Sequence, residues 1–275
     1  MLTTLSEYAA SRELLINLTL RELRTKYKRS VLGWAWSLLN PVALMLIYTL
    51  IFQVFLRVQP PAGASNGLKS FPLFLLSGLL AWNFVVNATN GSIDTLLINA
   101  NLIKKTYFPR ELLVASQVTA WFVSLLIEML LLCVAFMVSG NLVLAYVPIT
   151  LLILVALAAF VTGMGLAFSV VNVYFRDVRH LVGIAFQLWF YLSPILYPVS
   201  LVKERVELLG VDLPARTIYN LNPMVSFVEA IRDCLYDLQV PSAARMGSLL
   251  LVSAGTFLAG LYLFKRLEGR LAEEL

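Results

Sequence analysis

Apolar residues in this chain fall into six long runs, Trp34 to Phe55, Phe71 to Ile98, Leu112 to Val138, Val147 to Val173, Leu181 to Val199 and Met246 to Phe264, separated by shorter polar breaks. Each is near the ~20 residues that a helix needs to cross a bilayer, so the pattern predicts an all-α, polytopic membrane protein with six spans in a single transmembrane domain over residues 1–275. The first 33 residues read differently. Leu14, Leu15, Leu18 and Leu23 share roughly one helical face while Arg21, Arg24 and Lys28 occupy others, which suits a helix lying in the headgroup plane or packed on a cytoplasmic partner. Ser11 is positioned to cap that helix, with Glu13 in its first turn. Residues 200–245 are too apolar in part for a plain loop, and "IYNLNPMVSFVEAIRDCLYDL" suits a short amphipathic helix dipping back into the outer leaflet, where re-entrant backbone is tolerated only when buried in protein.

Polar residues inside the runs add detail. Pro41, after Asn40, predicts a kink in span one, and "VQPPAGASNGLKS" at 58–70 predicts an outer turn. Asn83, Asn87 and Asn90 share one face of span two; they either join helices by hydrogen bonds or line a polar pathway. Glu128 in span three is either functional or a protonated carboxyl bonded between helices. Gly163 and Gly165, with Thr162 and Ser169, predict close helix packing in span four. Span five is expected to be broken by Pro194 and Pro198 and is crowded with aromatics at its outer end.

Composition agrees with a membrane protein: 60% of residues are hydrophobic and 13% charged, against roughly a quarter charged in ordinary soluble domains. The net charge of +5 raises the question of nucleic acid, but its distribution excludes that partner. Fourteen of the basic residues, among them Arg24, Lys28, Arg29, Lys104, Lys105, Arg110, Arg176, Arg179 and Lys265, gather on one predicted side. The positive-inside rule makes that side, with both termini, cytoplasmic. The N-terminus lacks the basic and apolar order of a cleaved signal. Catalytic and metal sites are not expected: His180 is the sole histidine, Cys133 and Cys234 have no ligand spacing, and no phosphate-binding Gly-Lys loop occurs. A membrane-embedded transferase would need such a cluster, which leaves transport.

Driving a two-state carrier from 1:99 to 99:1 takes about 5.5 kcal/mol, and the membrane potential supplies about 2.3 kcal/mol per charge for each 100 mV. With only Glu128 central in a span, a proton-coupled carrier is the alternative, and an energy source on another subunit is the better inference. The polar segment "NLIKKTYFPREL", 101–112, lies between spans two and three on the cytoplasmic side. It suits either docking into a groove on a partner or anchoring to anionic lipid through Lys104 and Lys105.

Four ordered motifs, "YKRSVLGWAWSLLNP" (27–41), "NLIKKTYFPREL" (101–112), "NVYFRDVRHL" (172–181) and "LSPILYP" (192–198), together with the spans, resemble the permease subunit of type-2 ABC exporters for polysaccharides and teichoic acids. The resemblance implies a homodimer paired with two ATPase subunits that hold ATP and magnesium, no cofactor or enzyme activity in this chain, a bacterial inner-membrane location, and a lipid-linked glycan or polyol-phosphate polymer as cargo. A drug or small-lipid exporter of the same superfamily is the nearer alternative. The likeness also implies that Lys104, Lys105, Tyr107, Phe108, Pro109, Arg110 and Glu111 couple to the ATPase, that Arg24, Tyr27, Lys28 and Arg29 sit near the cytoplasmic gate and cargo headgroup, that spans one and five line the path, and that residues 200–245 form short extracellular re-entrant helices. Trp36, Tyr48, Phe52, Trp189, Tyr191 and Tyr197 are the aromatics expected to meet sugar rings there, or else to form an interfacial belt.

Overall fold

The computed structural model describes residues 2–27, 35–55, 57, 62–64, 67–106, 108–208 and 211–274. The helices are α1 (Leu2–Tyr27), α2 (Ala35–Tyr48, continued by a π-helical stretch Thr49–Phe55), α3 (Phe71–Ile98), α4 (Ala100–Lys105), α5 (Glu111–Val138), α6 (Val147–Tyr174), α7 (Val178–Tyr191), α8 (Ala215–Asn220), α9 (Pro223–Leu235), α10 (Ala243–Leu267) and α11 (Leu271–Glu274). Two three-residue strands, β1 (Val206–Leu208) and β2 (Val211–Leu213), pair antiparallel between α7 and α8. The molecule is an all-α membrane protein but for that hairpin.

Among the described residues four helices are long and apolar enough to span: α3, α5, α6 with the 3-10 turn ahead of it, and α10. The first and fifth apolar runs form shorter helices. Pro41 lies inside α2, where it withholds a backbone donor. At 14 residues α7 is ~21 Å long, short of the ~30 Å hydrocarbon core. It ends before Pro194, because the residue preceding a proline is pushed out of helical geometry, and residues 192–198 form turns instead.

The centre of the bundle is α3, whose Leu75, Val85, Ala88, Ile93 and Leu96 are fully buried. Against it pack α5, α6 and the short α9, which buries Met224, Phe227, Val228, Ile231, Cys234 and Leu235. Helices α6 and α10 approach each other closely. A Cβ added at Gly260 would overlap the Gly163 carbonyl, and one added at Gly163 would overlap that of Thr256. The close packing expected at Gly163 is therefore observed, with a partner glycine that the local sequence did not reveal. Gly165 likewise sits against Ser92 and Val114. Gly260→Val is expected to force these helices apart and lower stability by about 3 kcal/mol, at the upper end of ordinary overpacking costs. Thermal midpoints of the purified protein in detergent would register it; an unchanged midpoint would contradict the contact.

Arg232 organises the end opposite the 101–112 segment. Its side chain is 3% exposed. Nη2 donates to the Phe74 carbonyl at 3.1 Å and the Ile195 carbonyl at 2.9 Å, Nη1 donates to the Pro194 carbonyl, and the guanidinium lies 3.6 Å over the Phe74 ring. The break after α7 leaves the Pro194 and Ile195 carbonyls without helical donors, and Arg232 supplies them while also reaching the Phe74 carbonyl inside α3, joining α9 to α3 and to the broken segment. Asn141 ties the far end of α9 to the turn after α5 by donating to the Leu235 carbonyl at 3.0 Å.

The N-terminal helix departs from expectation in two ways. It begins nine residues before Ser11, which lies within the helix rather than at its cap; the stretch from Leu2 to Tyr27 has neither glycine nor proline to interrupt it. It also leans along α5 instead of lying flat across the bundle. Leu18 is buried in a cluster with Leu113, Val114, Val170 and Phe264, and Lys26 donates from Nζ to Ser124 Oγ at 3.0 Å, a position ~20 Å into α5.

Candidate functional site

The helical period places one face of α3 opposite one face of α7. Leu79, Trp82, Asn83, Val86 and Asn90 recur at three- and four-residue spacing on α3, as do Gly183, Phe186, Gln187, Phe190 and Tyr191 on α7. Leu44 and Tyr48 of α2 close the third side, enclosing a groove of 430 Å³. Its walls are aromatic. Tyr48 stacks on Phe190 at 6.3 Å between ring centroids, and Trp82 lies 5.7 Å from Phe190 and 6.0 Å, edge-on, from Phe186. Its polar groups are amides, from Asn83, Asn90 and Gln187, and no charged side chain lines it among the described residues. The buried Asn83 amide nitrogen has no hydrogen-bond partner among the described residues. A surface of ring faces and neutral donors and acceptors suits an uncharged, hydroxyl-rich chain, which can stack and exchange hydrogen bonds without meeting a deep charge well.

Of the six aromatics expected on the path, Tyr48 and Tyr191 line this groove. Phe52 continues its wall, 6.4 Å from Tyr48 and stacked on Phe71 at 6.3 Å. Tyr197 lies beyond, donating to the Tyr191 carbonyl at 2.8 Å and accepting from the Tyr219 hydroxyl at 3.2 Å. Trp189 does not line the groove and instead packs behind its wall, 5.7 Å from Trp82 and stacked on Phe186 at 6.0 Å. Its indole N–H donates to Asn222 at 2.8 Å, and it lines a separate, mainly apolar cavity of 540 Å³ with Leu192, Ile218 and Tyr219. Trp36 is 52% exposed and away from the groove. Of the three-asparagine face of α3, Asn83 and Asn90 reach the groove. Trp82, Phe186, Gln187 and Phe190 were not singled out from the sequence, although the repeat from Gly183 through Phe186 and Gln187 to Phe190 and Tyr191 was a readable signal.

At the other end, the 101–112 segment turns its apolar residues inward. Ile103 is buried, and Leu102 and Phe108 pack on the same cluster as Leu18. Lys104, Lys105 and Pro109 are exposed. Arg110 Nη1 donates to the Glu268 carbonyl at 2.6 Å, and Glu111 pairs with Lys265 at 2.8 Å. These residues and Gly269 line a cavity of 340 Å³ between the segment and the end of α10. Arg24 is exposed near the end of α1, where Tyr27 is the last helical residue. Lys28, Arg29 and Tyr107 lie outside the described residues.

Two ionic features cross between helices at this half of the molecule. Arg179 pairs with Asp94 at 2.7 Å, linking α7 to α3. Lys26 stands 3.1 Å over the Trp121 ring and interacts electrostatically with the buried Glu128. Glu128 thus faces a cation from the N-terminal helix, a neighbour its sequence context did not disclose. His180 is exposed, and Cys133 and Cys234 are free thiols, the latter buried in α9 rather than in a loop.

Residues 13–236 match the family model of the ABC-2 type transporter. The chain is 30% identical over 264 residues to the O-antigen export system permease protein RfbA of Klebsiella pneumoniae, covering 96% of this chain and 95% of that protein. It is 29% identical over 276 residues to RfbA of Myxococcus xanthus, with 100% of both chains covered. To the polysialic acid transport protein KpsM of Escherichia coli it is 24% identical over 258 residues, covering 91% of this chain and 92% of that one.

Proposed function

The chain belongs to the ABC-2 type transporter family, and on that premise we propose that it is the permease subunit of an exporter that moves a lipid-linked polysaccharide out of the cell. Relatives that match it over almost their whole length export O-antigen or transport polysialic acid. The observation that carries the reading is the groove between α2, α3 and α7, walled by Tyr48, Trp82, Phe186, Phe190 and Tyr191 and, among the described residues, free of charged lining. Teichoic acid, a polyol-phosphate polymer, is the other cargo class that the sequence likeness admits.

In this reading the bundle is set in the bacterial inner membrane with both termini and the 101–112 segment in the cytoplasm, as the basic residues Lys104, Lys105, Arg176, Arg179 and Lys265 favour. Family membership implies an ATP-binding partner subunit. Two such subunits, holding ATP and magnesium, serve a homodimer of this chain; the chain itself supplies no catalytic group. Lys104, Lys105, Phe108, Pro109, Arg110 and Glu111 form the surface on which the ATPase pushes, with Tyr107 among them, and Arg24, Tyr27, Lys28 and Arg29 border the cytoplasmic mouth. The Arg110 and Lys265 contacts tie that surface to α10, and the Gly163–Gly260 approach ties α10 to α6, so that a push is shared by two spanning helices.

Cells depleted of the chain and complemented with Tyr48→Ala, Phe190→Ala or both test the reading. Surface glycan is expected to fall about tenfold in the double variant, equivalent to roughly 1.4 kcal/mol, while lipid-linked glycan accumulates inside and the protein remains in the membrane. Glu128→Gln is expected to keep most export, because it retains a hydrogen-bonding group beside Ser124 and Lys26. Undiminished export from the double variant would overturn the groove assignment. Loss of export in Glu128→Gln that persists with ATP abundant would favour the proton-coupled carrier, and accumulation of a drug or simple lipid in place of glycan would favour the related exporters.

A further inference from the structure

We infer that a second, charged cavity at the end of the bundle opposite the 101–112 segment binds sugar units of the glycan as they leave the groove, a subsite distinct from the aromatic path. The inference rests on the polysaccharide reading and adds a place where the chain is held after crossing.

The cavity measures 630 Å³ and opens between α8, α9 and the start of α10, within the range of small-molecule sites. Arg216, Asn220, Ser226, Glu229, Asp237 and Arg245 contribute its polar wall. This is the reverse of the groove's chemistry, and the charges are held in place. Glu229 is 24% exposed and lies 3.6 Å from Arg232, whose own donors are committed to carbonyls at the back of the cavity. Asp237 accepts from the Ala64 amide at 2.9 Å, and Arg245 pairs with Asp233. Burial pushes the Glu229 and Asp237 carboxyls above the ordinary range, and the Arg232 guanidinium pulls both back. Carboxylates accept from hydroxyls and a guanidinium donates to them in a fixed fork, so the wall matches vicinal diols better than an acyl chain.

Position supplies the second argument. Pro198 lines the cavity, and its neighbour Tyr197 is bonded to Tyr191 at the edge of the groove. A chain emerging past Tyr191 and Tyr197 meets the charged wall next. Arg216 is exposed on α8 and sits on the cavity rim, free to close on a ring without disturbing the buried network.

The test uses the permease with its ATPase in lipid nanodiscs and, as probe, a fluorescently tagged oligosaccharide released by mild acid from the glycan the cells export. Arg216→Gln removes an exposed donor with little risk to folding, and Ser226→Trp fills the cavity. Each is expected to weaken binding at least about tenfold, the loss of one charged hydrogen bond or of the space itself, while Leu258→Ala, on an exposed face of α10 that lines neither the cavity nor the groove, leaves it within about twofold. Equal binding by wild type and both cavity variants, or no binding by wild type, overturns the subsite. If glycan still accumulates in the groove variants, the polysaccharide reading survives that result; if no glycan accumulates, the reading itself fails.

Discussion

Arg110→Glu is expected to leave the protein in the membrane and to abolish most export. The arginine stands where the 101–112 segment meets the end of α10: Nη1 donates to the Glu268 carbonyl at 2.6 Å, beside the Glu111–Lys265 pair at 2.8 Å and the Lys265–Glu268 pair at 3.2 Å. A glutamate there loses the donor and adds an acid to two that share one lysine. Each exposed pair is worth only about 0.2–1 kcal/mol, so the fold should persist, anchored by Leu102, Ile103 and Phe108 in the core. What fails is transmission, because a segment no longer clamped to α10 moves without it. Export should fall at least about tenfold, the equivalent of some 1.4 kcal/mol in the coupled step, with ATP hydrolysis by the purified complex continuing. Arg110→Lys, which can still donate to the carbonyl, should retain most export. Normal export together with normal co-purification of the ATPase in Arg110→Glu would contradict the coupling role.

Arg232→Leu is expected to produce the largest loss of stability of any single substitution considered. Removing a guanidinium that is 3% exposed strands the Pro194 and Ile195 carbonyls, acceptors that cost about 1–3 kcal/mol each, and takes one donor from the Phe74 carbonyl. Breaking a buried charged network typically totals about 3–5 kcal/mol. Arg232→Lys should rescue little, since one ammonium cannot reproduce a planar fork aimed at three carbonyls. Size-exclusion profiles of the detergent-extracted protein after heating would show it, and a wild-type midpoint for Arg232→Leu would refute the structural role.

These two arginines show what the linear chain discloses and what it conceals. Arg110 stands in a polar break between two apolar runs, so its exposure at a bundle end was legible. Its partner is 158 residues away in sequence, and nothing local to either residue announces the pairing. Arg232 looked like one more basic residue in an outer loop; its neighbour set arises only because α7 breaks at a proline whose freed carbonyls α9 then meets. Tyr48 and Tyr191 were accessible to reasoning from aromatic position, whereas Trp189, two residues before Tyr191, is rotated out of the groove and packs behind its wall, against Trp82 and Asn222. Lys26 was overlooked because its significance lies in Ser124, Trp121 and Glu128, all on another helix.

From the sequence alone came the membrane class, the all-α architecture, the polar segment between the second and third runs, and the need for close packing at Gly163. These follow from free energies that accumulate residue by residue: transfer of apolar side chains into hydrocarbon, and backbone hydrogen bonds satisfied within a single helix. Tertiary structure alone decided that α1 leans on α5, that Gly163 meets Gly260, that Arg232 meets the carbonyls left open after α7, and that one groove is neutral while a neighbouring cavity is charged. Those outcomes depend on which surfaces approach closely enough to exclude a Cβ or to satisfy a stranded carbonyl, and contacts between residues far apart in the chain carry no local signature of their partner.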